Sequence, residues 1–373
     1  MSDAAVIVGS CATPLWGLTS AQRITRIFEK NGVAIARPDA LPDTGRVFLA
    51  DARFAFDPAW VVAMKEQPSV LTLGGRVVLA NLSAEHAPAA LAAMTAGTPW
   101  QAAHGITEFA ADRGAEIYNH ELRKRETPFV RPLTPETVPG IERDSYYGAY
   151  KGVTDLLTKY AWPVLAFHLT RLAARLRLTP NMVTAIGLVL CIAATFAFAE
   201  GWYWSGLAMG WTMMVLDTVD GKLARVTITS SKFGNLFDHG IDLIHPPFWY
   251  WAWAWGLAAY GTPLAPPLFE QMMWAILVTY VAGRLVEGAF QRLFGMHIHV
   301  WERIDSQFRL ITARRNPNVL LMTGSLLFGR PDIGLLLVVG WSALSFVFHL
   351  VRLFQALLAR MSGKPIVSWL RAA

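Results

Sequence analysis

Four aspartates carry the chemistry that this sequence suggests. Asp217, Asp220, Asp238 and Asp242 lie in the stretch LDTVDGKLARVTITSSKFGNLFDHGIDLIHPP, from Leu216 to Pro247, with Gly221, Ala224, Arg225 and Gly234 between them. The flanks, GLAMGWTMMV and FWYWAWAWGL, are almost wholly apolar. A carboxylate at membrane depth is costly, so four of them require a compensating charge or a water-filled cavity. Asp217 and Asp220 are spaced i, i+3, and Asp238 and Asp242 i, i+4; on helices each pair shares one face. Two such helices, joined by the polar turn TITSSK, would aim all four carboxylates into one space. A donor set of oxygens with surplus negative charge suits Mg²⁺, Mn²⁺ or Ca²⁺ rather than zinc. The pattern predicts a metal site.

Holding these side chains in place calls for long apolar helices, and the composition supplies them. Of 373 residues, 54% are hydrophobic, only 16% are charged, and 15 are Trp, too apolar for one soluble domain; the length allows about two or three domains. Cys11 and Cys191 share no ligand spacing and predict no disulfide framework, in keeping with a reducing cytoplasm. The net charge of +6 reads as basic residues along a cytoplasmic membrane surface, with no nucleic acid as partner.

Six transmembrane helices are expected over residues 181–199, 203–225, 233–260, 268–294, 317–329 and 333–358, the fifth being short. Lys222, Arg225 and Lys232 join the second and third; Arg292, Arg303, Arg309, Arg314 and Arg315 join the fourth and fifth; Arg352, Arg360 and Lys364 follow the sixth. The opposite loops hold only Arg330. The positive-inside rule then places both termini and the aspartates on the cytoplasmic side of an inner or plasma membrane. Residues 141–180 read as a linker and an amphipathic interfacial helix in which Pro163 kinks or starts a segment. Arg123, Lys124 and Arg125 in the linker either meet anionic headgroups or form a solvated run.

Residues 1–140 alternate apolar runs (AAVIVGS, RVFLADA, VLTLG, RVVLANL) with amphipathic ones (19–31 and 84–96). That alternation predicts a cytoplasmic α/β domain with a mainly parallel sheet. No charged n-region followed by an apolar run opens the chain, which fits a cytoplasmic location for this domain.

The spacing D-x2-D-G-x2-A-R-x8-G-x3-D-x3-D resembles the signature of the CDP-alcohol phosphotransferases, and all eight specified positions are met from Asp217 to Asp242. The resemblance covers roughly residue 145 onward, with residues 181–373 as the six-helix membrane domain. It implies a transferase that moves a phosphoalcohol group from a CDP-alcohol to an acceptor hydroxyl and releases CMP, in phospholipid or related phosphodiester synthesis. Carried over by position, Asp217, Asp220 and Asp238 are metal ligands. Asp242 completes the site and acts as general base, and Mg²⁺ or Mn²⁺, as two ions, is the cofactor. The resemblance also implies a homodimer. Residues 1–140 weakly resemble the nucleotidyltransferase-like domains that some members carry. Their phosphate loop is replaced here by VGSCATPLWGLTS, without G-x-G and without a basic residue before Arg23, so the domain is expected to be non-catalytic. Asp51 marks either an old metal position or a surface loop.

The same resemblance assigns Gly221, Ala224, Arg225, Gly234, Asn181, Thr184 and Lys151 to the nucleotide. Each has a plainer reading: helix packing for Ala224 and Gly234, snorkelling for Arg225, helix capping for Asn181, and headgroup contact for Lys151 with Asp155 and Lys159. Arg284, inside an apolar run, binds an anionic acceptor with help from Arg292, or else pairs with Glu287 at i+3. His239 and His245 read as packing residues. The donor is CDP-diacylglycerol with a polar alcohol or alcohol-phosphate acceptor, or a CDP-linked polar alcohol with a lipid or soluble acceptor. Two other classes remain: a cation transporter using the aspartates as an ion path, and a pseudoenzyme that binds nucleotide only.

Overall fold

The computed structural model describes residues 3–37, 41–42, 44–101, 104–114, 117–119 and 124–372. Arg123 and the side chains of Lys124 and Arg125 lie outside what is described. The chain divides into two compact units. The first takes residues up to Tyr150 with Thr170–Leu178 and Lys222–Ser230; the second takes Lys151–Leu169, Thr179–Gly221 and Ser231 onward.

In the first unit the strands are β1 (Ala4–Val8), β2 (Ala34–Ala36), β3 (Arg46–Asp51), β4 (Phe54–Phe56), β5 (Ser69–Leu73), β6 (Arg76–Ser83) and β7 (Thr107–Ala110). Six form one sheet in the order β2-β1-β3-β6-β5-β7. Its helices are α1 (Ser20–Lys30), α2 (Ala59–Met64), α3 (Ala87–Ala96) and α4 (Val138–Gly148). Thr19 caps α1 in a reciprocal box with Gln22: its hydroxyl accepts from Gln22 N, and Thr19 N donates to Gln22 Oε1. Ile24, Ile27 and Phe28 of α1 and Trp60 of α2 pack with Phe48 of β3, while Ala90 and Met94 of α3 pack with Val47 and Leu49 on the strand's other face. Burial on both faces explains why the strands read as continuous apolar runs.

The sheet is mainly parallel, as expected, with β6 as its one antiparallel strand. β1 pairs in parallel with β2 and β3, and β5 with β7, but β6 runs antiparallel to both β3 and β5. The reason is local. β5 and β6 are joined only by Gly74 and Gly75, with φ of +57° and +78°, a tight hairpin that leaves no room for a crossover helix. The chain beyond α3 contributes strands as well: β7 joins the sheet, and Val130–Pro132 pairs antiparallel with β4. Asp51 is buried rather than on a surface loop, accepting from Arg53 Nε at 2.9 Å and Nη2 at 2.7 Å.

Further helices follow: α5 (Pro163–Arg175), α6 (Pro180–Ala199), α7 (Tyr203–Val226), α8 (Lys232–Tyr260), α9 (Pro266–Phe294), α10 (Arg303–Phe308), α11 (Arg315–Leu327), α12 (Pro331–Met361) and the short α13 (Trp369–Ala372). Among the described residues, three helices, α6, α9 and α12, are long and apolar enough to cross a membrane, which corrects the six expected spans. Helices α7 and α8 have the length, but no 18-residue stretch of either is apolar enough. Helix α11, at 13 residues, falls short of the roughly 20 needed. On α6 and α9 large apolar side chains point outward, Phe196 69% exposed and Trp274 66%, as lipid-facing surfaces do. The single interfacial helix is replaced by separate pieces. Residues 151–155 are non-helical, Leu157–Ala161 form a π turn, and Pro163 opens α5.

The core of the second unit is aromatic. Tyr203 of α7 stacks on Trp253 of α8 with ring centroids 4.1 Å apart, and Phe198 packs on Trp249 and Trp253. Each buried polar tip is paired: Tyr203 Oη donates to Trp253 O, Trp249 Nε1 to Cys191 O and Trp253 Nε1 to Pro331 O. Helix α8 approaches the end of α6 at Gly256, where a Cβ would lie 1.9 Å from Phe198 O and 2.9 Å from Gly201 N. Gly256→Ala is therefore expected to cost about 1–3 kcal/mol by overpacking, read as a lower Tm of the detergent-solubilised protein.

Candidate metal centre

Helices α7 and α8 deliver the aspartates as the i, i+3 and i, i+4 spacings require. Ser231 caps α8, its Oγ accepting from Gly234 N at 3.0 Å, so the helix begins at Lys232, nearly two turns before the Asp238–Asp242 pair. One carboxylate oxygen from each of Asp217, Asp238 and Asp242 lies within 4.8 Å of the others. Asp220 is buried beside them in sequence; its Oδ2 accepts from Thr184 Oγ1 at 2.5 Å, while its Oδ1 is buried without a hydrogen-bond partner. An oxygen-only cluster with an orphaned buried carboxylate oxygen fits a hard divalent cation. Asp242 has the most open side chain of the clustered three, 42% exposed against 22% for Asp217 and 29% for Asp238.

Arg315, the first residue of α11, reaches into this cluster. Its Nη2 donates to Asp217 Oδ2 at 2.6 Å, and its Nη1 to Asp242 Oδ1. The sequence reading placed Arg315 only among basic loop residues; one cation in a run of five carries no signal of where its side chain points. The next residue fixes the helix start. Asn316 Nδ2 donates to Asp155 Oδ1 at 3.0 Å, and Asp155 also accepts from the backbone N–H groups of Leu157 and Thr158 and from Thr158 Oγ1. Asp155 is thus a buried anchor and not part of a phosphate-binding stripe with Lys151 and Lys159. The i, i+4, i+8 face never forms, because residues 151–155 are not helical.

Asn181 and Gly234 are brought together. A Cβ on Gly234 would stand 2.8 Å from Asn181 Oδ1. Thr179, rather than Asn181, caps α6 by accepting from Met182 N. Gly221 sits on α7 directly after Asp220, and Ala224 and Arg225 fall in the helix's last turn, where Thr229 N bonds back to Ala224 O. Lys151 is half-buried at the start of the non-helical segment.

Arg284 donates to Glu287 Oε1 at 3.0 Å, the i, i+3 pairing, and Arg314 holds Glu287 Oε2 at 2.5 Å. His299 Nε2 and His349 Nδ1 stand 3.6 and 3.7 Å from the same carboxylate. Arg292 is exposed in the last turn of α9. His245 packs edge-on against Trp249, and His239 Nδ1 lies 2.9 Å from Asn235 O.

Residues 177–306, which contain all four aspartates, match the family model "CDP-alcohol phosphatidyltransferase". This stretch is similar to that family. Among curated members, it is similar to Cholinephosphotransferase 1 of Danio rerio, 30% identical over 31% of this chain and 32% of the relative. It is likewise similar to that of Gallus gallus, 34% identical over 31% and 37%. The chain spans about a third of the length of the curated relatives it matches. Among solved structures, the phosphatidylinositol phosphate synthase of Mycobacterium tuberculosis with CDP-DAG bound is 21% identical, covering 50% of this chain and 92% of that one, with a TM-score of 0.39.

Burial pushes the Asp155 carboxyl up, but Arg309, the Asn316 amide and the Thr158 N–H and hydroxyl outweigh it and hold it below the usual carboxylate range. A carboxyl depressed in the folded state stabilises above its unfolded pKa, and that contribution is lost as pH falls through the folded value. Asp155→Ala is expected to cost about 1–3 kcal/mol near pH 7, since it strands the Asn316 amide. The Tm difference from the unmodified protein should shrink below about pH 4.

Proposed function

We propose that this protein transfers a phosphoalcohol group from a CDP-alcohol to an acceptor hydroxyl and releases CMP, using divalent cations held by Asp217, Asp220, Asp238 and Asp242. The observation that carries the reading is the convergence of carboxylates from α7 and α8 on one point, with Asp220 Oδ1 buried and unpaired. Mg²⁺ or Mn²⁺, as two ions, suits that donor set. When bound, such cations neutralise the pyrophosphate and the charge developing on CMP. Asp242, the most open of the clustered carboxylates, takes the proton of the acceptor hydroxyl. The hydroxyl oxygen forms a bond to the phosphorus that bears the alcohol, the bond from that phosphorus to the CMP oxygen breaks, and CMP leaves in line.

The nucleotide is received by Gly221, Ala224, Arg225, Gly234, Asn181, Thr184 and Lys151. Support comes from Gly234 and Asn181, whose contact leaves no room for a side chain at 234, and from Thr184, which already orients Asp220. Arg284 and Arg292 serve an anionic acceptor, Arg284 by exchanging Glu287 for the incoming group. A lipid partner is supported by an apolar groove of about 460 Å³ between Leu156, Leu310, Pro317, Leu320, Leu336 and Trp341. Helix α11, which begins at Arg315, contributes Pro317 and Leu320 to one wall of that groove. The site then opens to the cytoplasmic face of an inner or plasma membrane, and the chain acts as a homodimer. The first unit serves as a non-catalytic scaffold, in keeping with the commitment of Asp51 to Arg53.

CMP release by the detergent-solubilised protein tests the reading, with CDP-diacylglycerol and CDP-linked alcohols as donors against a panel of acceptors. Release should require Mg²⁺ or Mn²⁺, vanish with a chelator, and fall by at least about 100-fold in Asp242→Asn, the usual size of a lost general base. Nucleotide binding without release for any pair would favour the pseudoenzyme.

A further inference from the structure

Arg315 is buried, its side chain 11% exposed, and its two terminal nitrogens are spent on two different aspartates of the cluster, Asp217 and Asp242. Nη1 also lies 3.6 Å from Met213 Sδ on α7, so the guanidinium lies against the helix that bears Asp217. Its backbone is not free to drift. The neighbouring Asn316 is tied to Asp155 and, at 3.3 Å, to Thr158 Oγ1, which fixes the first turn of α11. The neighbouring cation on the other side, Arg314, is turned to Glu287 instead.

A guanidinium and a divalent cation draw on the same carboxylate lone pairs, and two positive charges do not share them without cost. Asp217 and Asp242 are two of the three residues whose oxygens converge. We propose that Arg315 is a tethered competitor for the cation site: it neutralises Asp217 and Asp242, must leave one or both as a divalent cation enters, and is then free to engage an anionic phosphate. The proposal rests on the aspartates being the cation site. It adds that the chain carries its own counter-charge, which makes cation entry and anion binding favour each other through one side chain.

The full chain in detergent, titrated with Mn²⁺ alone and followed by the electron paramagnetic resonance of free Mn²⁺, tests this. Arg315→Gln should bind Mn²⁺ at least about fivefold more tightly than the unmodified protein, the lower end of ordinary coupling effects. Arg315→Lys, with one ammonium that cannot bridge two carboxylates, should fall between them and carries the test if the Gln variant does not elute as a single species. Arg314→Gln, which removes an equal charge one residue away, should leave Mn²⁺ affinity within about twofold, separating competition at the carboxylates from general charge. Added CDP should tighten Mn²⁺ binding more in the unmodified protein than in Arg315→Gln. Equal or weaker Mn²⁺ binding in Arg315→Gln and Arg315→Lys overturns the competitor role while leaving the cation site intact. No Mn²⁺ binding by any of the proteins overturns both.

Discussion

Four carboxylates in an apolar setting cannot be left uncompensated, and much of the second unit answers that constraint. Asp220 receives the Thr184 hydroxyl, and Asp217 and Asp242 share the Arg315 guanidinium. Because Arg315 opens α11, that helix must begin where its first side chain can reach α7 and α8. The Asp155–Asn316 hydrogen bond secures the same turn from another segment. A short helix is enough for this task, and α11 is short.

The scaffold behind the aspartates is held by rings rather than by charge. Tyr203, Phe198, Trp249 and Trp253 fill the space among α6, α7 and α8, and each indole or phenol finds a backbone carbonyl. Their large apolar area gives most of the cohesion, and their single polar tips fix orientation. Where no ring intervenes, as at Gly256, backbones touch directly. Such packing lets α8 carry Pro246 and Pro247 inside a helix of 29 residues and still place two carboxylates.

The first unit obeys different rules. Its sheet is covered on both faces by helices, and its buried Asp51 carboxylate is matched by an arginine two residues away. An acid with a permanent internal partner is stable and chemically quiet. The same arithmetic applied to Asp217 and Asp242 gives the opposite character, because one guanidinium is divided among a cluster of carboxylates and cannot satisfy them all.

The chain's own order of residues determined the aspartate constellation. Periodicity puts Asp217 with Asp220 and Asp238 with Asp242 on single helix faces, and the eight-position spacing by itself resembles the family signature. The apolar runs likewise marked where the long helices lie, since 3.6-residue geometry and burial leave a direct trace in composition. What stayed hidden depends on residues distant in sequence. That Arg315, 98 positions after Asp217, would bridge it to Asp242 follows from how α11 packs on α7 and α8. That Asp155 would anchor Asn316, and that Arg314 would join the i, i+3 pair of Arg284 and Glu287, follow from tertiary packing as well. The count of six spans failed because length and mean hydropathy separate α6, α9 and α12 from α7, α8 and α11. A side chain's partner is set by three-dimensional proximity, which sequence spacing encodes only within a helix turn or across a tight hairpin.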